Sequence, residues 1–103
     1  MSLPKLILDF DGTAQTLAIG ASSVSVQVPA NSELLAISAT GNAHFHFGDG
    51  SATATSADPV VTPNSGMLIV RVPPAITGTN KFFAIIQDGS STGSVNICRV
   101  KEG

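Results

Sequence analysis

His44 and His46 stand two apart in the run Ala43-His44-Phe45-His46-Phe47, and Asp49 follows three residues later. In an extended backbone, residues two apart share a face, so the two imidazoles project together. Imidazole and carboxylate are ordinary donors to zinc or a related ion, whose shell a fourth group or water would complete. His44, His46 and Asp49 are thus the candidate metal ligands. The plainer reading sets the histidines on a solvent or subunit face while Phe45 and Phe47 fill the core, and no cofactor is expected. At a subunit boundary, imidazole protonation near pH ~6.5 would tune assembly. Cys98 is the single cysteine, which excludes an intramolecular disulfide and a Cys-rich zinc site and suits a small buried hydrophobe on a strand. No G-x-S-x-G elbow prepares a serine for attack, and Cys98 has no recognisable partner base.

A second constellation is Leu6-Ile7-Leu8-Asp9-Phe10-Asp11-Gly12-Thr13. It resembles the first motif of the haloacid-dehalogenase-like phosphatases, a hydrophobic strand followed by D-x-D-G-T. The resemblance implies Asp9 as a nucleophile forming an aspartyl-phosphate, Asp11 as general acid/base, and a magnesium ion facing both. That family works on a doubly wound α/β core with a helix after the motif. Here residues 14–28 are β-branched and serine-rich with period two, and 103 residues leave no room for the remaining βα units. Asp11-Gly12 therefore reads as a two-residue hairpin turn, no enzyme is expected, and the phosphatase remains a remote alternative.

Positioning these residues requires strands. Residues 5–10 and 13–19 form the arms of that hairpin, and Val24, Val26 and Val28 alternate with Ser25 and Gln27 in the clearest period-two run. Residues 33–40 (ELLAISAT) put Leu35 and Ile37 on one face, and Gly41-Asn42 turns them into the His/Phe strand as a hairpin neighbour. Gly48-Asp49-Gly50 stops that strand in a tight turn. The following Ser51-Ala52-Thr53-Ala54-Thr55-Ser56-Ala57, closed by Asp58-Pro59, reads as a poor strand or an extended loop lying across the sheet. Residues 67–72 (MLIVRV) place Leu68, Val70 and Val72 inward before Pro73-Pro74 ends the strand. The nearly continuous apolar run 81–87 (KFFAIIQ) suits a central strand covered on both faces, and residues 94–100 form the last strand. With no window of helical period, the expected fold is an all-β, single-domain antiparallel sandwich of about eight strands, a jelly roll or Greek-key barrel. An immunoglobulin-like sandwich is the alternative, without that family's Cys…Trp…Cys pattern. Residues 4–101 make one domain, and 1–3 and 102–103 read as remnants of expression-vector sequence.

Charged residues are only 12% of the chain against 43% hydrophobic, well below the roughly 25% charged of soluble domains. Five scattered Lys and Arg and a net charge of −2 gather no basic patch, so nucleic acid is disfavoured. No apolar run reaches membrane-spanning length and no signal-peptide pattern opens the chain. The chain has neither Trp nor Tyr for stacking on sugars, and its five Phe read as core.

The run ISATGNAHFHFGDGSATATSADPVVTPNSG resembles a group of small phage and prophage virion proteins. They share an F-x-F-G turn followed by Asp or Asn, an Ala/Thr-rich run, then an aspartate and a proline before a second Gly turn. The likeness covers roughly residues 33–100. It implies a virion-located structural protein that decorates or cements the capsid, a homo-oligomer (trimer or dimer) meeting a major capsid or other virion protein. His44, His46, Asp49 and Asp58, with loops 48–63 and 73–80, are the expected partner contacts. The alternative from another class is a carbohydrate- or metal-binding β-sandwich module.

Overall fold

The computed structural model describes residues 8–10, 14–28, 33–49, 52–73 and 81–102, at 8–10, 101 and 102 the backbone alone. The strands are β1 (Leu8–Phe10), β2 (Gln15–Ile19), β3 (Val24–Gln27), β4 (Leu34–Ala39), β5 (Ala43–Asp49), β6 (Val60–Val61), β7 (Leu68–Arg71), β8 (Lys81–Gln87) and β9 (Gly93–Glu102). One 3-10 turn, Pro63–Ser65, is capped by the Thr62 side chain, which accepts from Ser65 N. No helix among the described residues is long and apolar enough to cross a membrane.

The period-two patterns resolve into two antiparallel sheets. In the first the order is β1-β9-β4-β7, with β2 also on β9; in the second it is β3-β8-β5-β6. From β2 to β5 each successive strand changes sheet, β5 and β6 pair as neighbours, and β7, β8 and β9 alternate again. This is the strand order of a jelly roll, two Greek keys folded into facing sheets, and it excludes the immunoglobulin-like alternative.

Between the sheets, alternate residues interlock. Leu35, Ile37, Ala43, Val61, Phe83, Ile85 and Val95 have no exposed surface, and Leu68 and Val70 pack against them, the faces that alternation predicts. Phe83 lies at the centre, its ring 6.0 Å from that of Phe45 and 5.2 Å from that of Phe47. In β8, Phe83, Ala84 and Ile85 are buried in succession, which a strand achieves only when both its faces are covered.

Three turn expectations are corrected. Residues 10–15 do not make a hairpin, because β1 and β2 run the same way along one partner. Phe10 lies opposite Val100 and Gln15 opposite Ile97, so the two strands follow one another along β9. Both strands share one edge, and the Asp11-Gly12 pair itself lies outside the described residues. Nor do β4 and β5 pair: they sit in different sheets, and residues 40–42 form a corner between them. Gly41 is required there, since a Cβ would lie 1.9 Å from the Thr92 carbonyl oxygen. Finally, Gly48 is no turn residue: β5 runs on, with Gly48 opposite Phe82 and Asp49 opposite Lys81. Gly50, the other glycine of that expected turn, lies outside the described residues, as does 74–80 of the second expected contact loop. At the other end of the chain, Glu102 belongs to the ladder, opposite Leu8.

Candidate functional site

Alternation along β5 turns Phe45 and Phe47 into the core and sends His44, His46 and Gly48 to the outer face of the second sheet. Residues 52–57 then cross that face as a strap, as the extended-loop expectation for the Ala/Thr run proposed. The strap reaches the far edge, where Ala54 N donates to Ser23 Oγ at 2.9 Å, and Ala54 is 1% exposed. Small residues allow the passage. A Cβ on Gly48 would lie 3.1 Å from the Ala52 Cβ, so the bare backbone of Gly48 lets the strap lie low.

Asp58 fastens the strap to the sheet. Its carboxylate accepts from Thr55 N at 2.8 Å and from Thr55 Oγ1 at 3.4 Å, closing the turn. The other oxygen lies 3.2 Å from His46 Nδ1. The Thr55 backbone N–H, aided by His46 and opposed by desolvation, holds the Asp58 carboxyl below its ordinary value of 3.8, so this oxygen accepts and His46 Nδ1 donates. The Asp58 carbonyl takes a fourth donor, His44 Nδ1 at 2.7 Å, and Pro59 O accepts from Phe45 N at 2.9 Å. From the β8–β9 turn, Asp88 Oδ1 approaches His44 Nε2 at 3.2 Å.

The structure thus brings His44, His46 and Asp58 together and leaves Asp49 out. Three residues beyond His46 is an odd step along a strand, so Asp49 falls on the opposite face from the histidines. It forms an ion pair with Lys81 Nζ at 2.7 Å, directly across the ladder. The proposed ligand trio is not assembled, and no group of three metal-binding side chains occurs among the described residues. His44 also departs from the plainer reading: the strap buries it to 7% exposure, whereas the His46 side chain is 44% exposed. Asp88 is the member that sequence reading missed. It lies 44 positions from His44, and its Asp-Gly step signals only a turn.

The remaining candidates are placed apart. Asp9 is in β1 opposite Lys101, and the next described element is strand β2 rather than the helix that the phosphatase resemblance implied. Cys98 is half-buried on β9 opposite Ala36.

No protein-family model, curated protein or solved structure matches this chain. The arrangement around Asp58 is a structural clasp with one exposed imidazole. Large apolar residues are exposed elsewhere: Val60 on β6 (37%), Met67 just before β7 (54%) and Ile69 on β7 (39%). β6 and β7 are end strands of the two sheets.

Proposed function

We propose that this chain is a structural protein of a phage or prophage particle, a small jelly roll that decorates or cements the capsid through passive contacts. The observation that carries the reading is the strand order, β1/β2-β9-β4-β7 facing β3-β8-β5-β6, an architecture used by viral capsid proteins. Fold-level analogy is its warrant, joined by the likeness of residues 33–100 to small virion proteins. Sparse charge supports it, since a chain with only 12% charged residues has a surface that suits burial against neighbours better than isolation in water.

Contact would begin at the end strands. Val60, Met67 and Ile69 are exposed there, and an end strand offers backbone donors and acceptors to a neighbouring strand. Apolar area buried at about 25 cal/mol per Å² would supply the attraction, and closed symmetry would favour a dimer or trimer at a local axis of the particle. Of the side chains expected to meet a partner, His46 is the one presented outward. His44 and Asp58 hold the strap, and Asp49 pairs with Lys81. The exposed strap residues Thr53, Thr55 and Ser56 add a small polar surface beside His46.

The test is to induce particles from the host that encodes the chain, purify them on a density gradient and quantify the chain by mass spectrometry. The reading expects a fixed copy number per particle. Recovery wholly in the soluble fraction overturns it.

A further inference from the structure

Beyond the proposed assembly role, we infer that His44 and Asp88 form a pH-operated latch between β5 and the β8–β9 turn. His44 Nδ1 faces the Asp58 carbonyl at 2.7 Å, and a carbonyl oxygen can only accept, so Nδ1 carries a hydrogen whenever the strap is docked. His44 Nε2 faces the Asp88 carboxylate at 3.2 Å, a second acceptor. A neutral imidazole has one N–H to offer, so both contacts are satisfied together only by the doubly protonated ring.

Burial makes the choice of partner consequential. The His44 side chain is 9% exposed, and water cannot readily replace a lost contact; the Asp88 side chain is 44% exposed and can turn to solvent. When the ring gives up one proton, the Nδ1 hydrogen stays with Asp58, and an Nε2 lone pair then faces the carboxylate. Asp88 swings away, and the strap remains fastened. The pH-sensitive element is therefore the turn that begins at Asp88, whose carbonyl accepts from Ser91 N at 3.2 Å and whose N–H donates to Asn42 O at 3.1 Å.

The surroundings leave few competitors. Across the ladder His44 meets Val60 on β6 and Ile86 on β8, neither of them titratable. The strap contributes Asp58, the turn contributes Asp88, and β5 itself contributes His46 two residues on. His46 is bonded through Nδ1 to the Asp58 carboxylate, so it belongs to the clasp and not to the Asp88 contact. Lys81 and Asp49, at the other end of the β5–β8 ladder, neutralise each other.

The test is the protonation of the two ring nitrogens of His44, followed by nitrogen-15 NMR across roughly pH 5 to 8, with amide exchange read at Ser91. Both nitrogens should be protonated at the acid end, and Nε2 alone should lose its hydrogen as pH rises. Ser91 exchange, corrected for intrinsic base catalysis, should then quicken about three- to five-fold, the scale of a partly exposed ion pair. D88N supplies the decisive variant, because an amide can donate to a bare Nε2 or accept from a protonated one; its corrected Ser91 exchange should be flat with pH. H46Q should keep the wild-type response. Loss of the Nδ1 hydrogen in place of the Nε2 one, or a wild-type response in D88N, would overturn the latch.

Discussion

Replacing Asp58 with alanine isolates the clasp that holds residues 52–57 over the second sheet. The carboxylate makes three contacts, with Thr55 N at 2.8 Å, Thr55 Oγ1 at 3.4 Å and His46 Nδ1 at 3.2 Å. A net hydrogen bond contributes about 0.5–1.5 kcal/mol and an exposed ion pair about 0.2–1 kcal/mol. Thr55 is exposed, so water takes over part of the loss and the low end applies. The expected cost at pH 7 is about 1–2 kcal/mol, read as a lowered urea midpoint at unchanged slope. The pH dependence fixes the cause. The folded state holds this carboxyl below its ordinary 3.8, so the unfolded chain binds the proton more readily. Its stabilisation is present above 3.8 and is lost as pH falls through the lowered folded value. The gap between wild type and Asp58→Ala should therefore be full at pH 5 to 7 and close in stronger acid, the subtraction cancelling the other carboxylates. A variant as stable as wild type at pH 7, or a gap that persists unchanged below the folded titration, refutes the clasp.

Other perturbations follow from the same geometry. Phe83→Ala removes a side chain with no exposed surface that touches both Phe45 and Phe47, and should cost about 3–5 kcal/mol in urea unfolding. Gly41→Ala sets a Cβ against the Thr92 carbonyl oxygen and should prevent accumulation of folded protein. Gly20→Ala, with nothing within 4 Å of the added carbon, should shift stability by no more than about 1 kcal/mol, and upward. Circular dichroism melts of that glycine pair check the corner directly. Lys81→Met removes the ammonium that pairs with Asp49, an ion pair whose side chains are 12% and 26% exposed, and should cost about 1–2 kcal/mol in urea unfolding.

Legibility in the sequence followed the range of the interactions. Alternation is a local property of one strand, so the inward faces of Leu35, Ile37, Leu68, Val70 and Val72 and the doubly covered run around Phe83 could be read directly. Pairing partners are not local. Gly41 and the Asp11-Gly12 pair look like hairpin turns because hairpins favour such residues, yet β4 and β5 go to opposite sheets, and β1 and β2 follow one another along the same partner strand. Gly48 misled for a related reason: a glycine marks close backbone approach as readily as a turn, and here the approaching chain is the strap at Ala52. Val60 and Val61 form a two-residue strand too short for any periodicity. At the site, parity along β5 separated the histidines from Asp49, a step legible from spacing alone. The Asp88 contact, made through tertiary structure, left no trace in spacing.

The contact claim is tested most directly by solution mass, from light scattering after size exclusion, for wild type and Ile69→Lys. Ile69 points outward from an end strand at 39% exposure, and the substitution should leave the fold within about 0.5 kcal/mol of wild type. The account predicts a wild-type dimer or trimer of the 10.4 kDa chain and a monomeric Ile69→Lys variant. A wild type that stays monomeric at every concentration, or an oligomer that Ile69→Lys leaves intact, would contradict it.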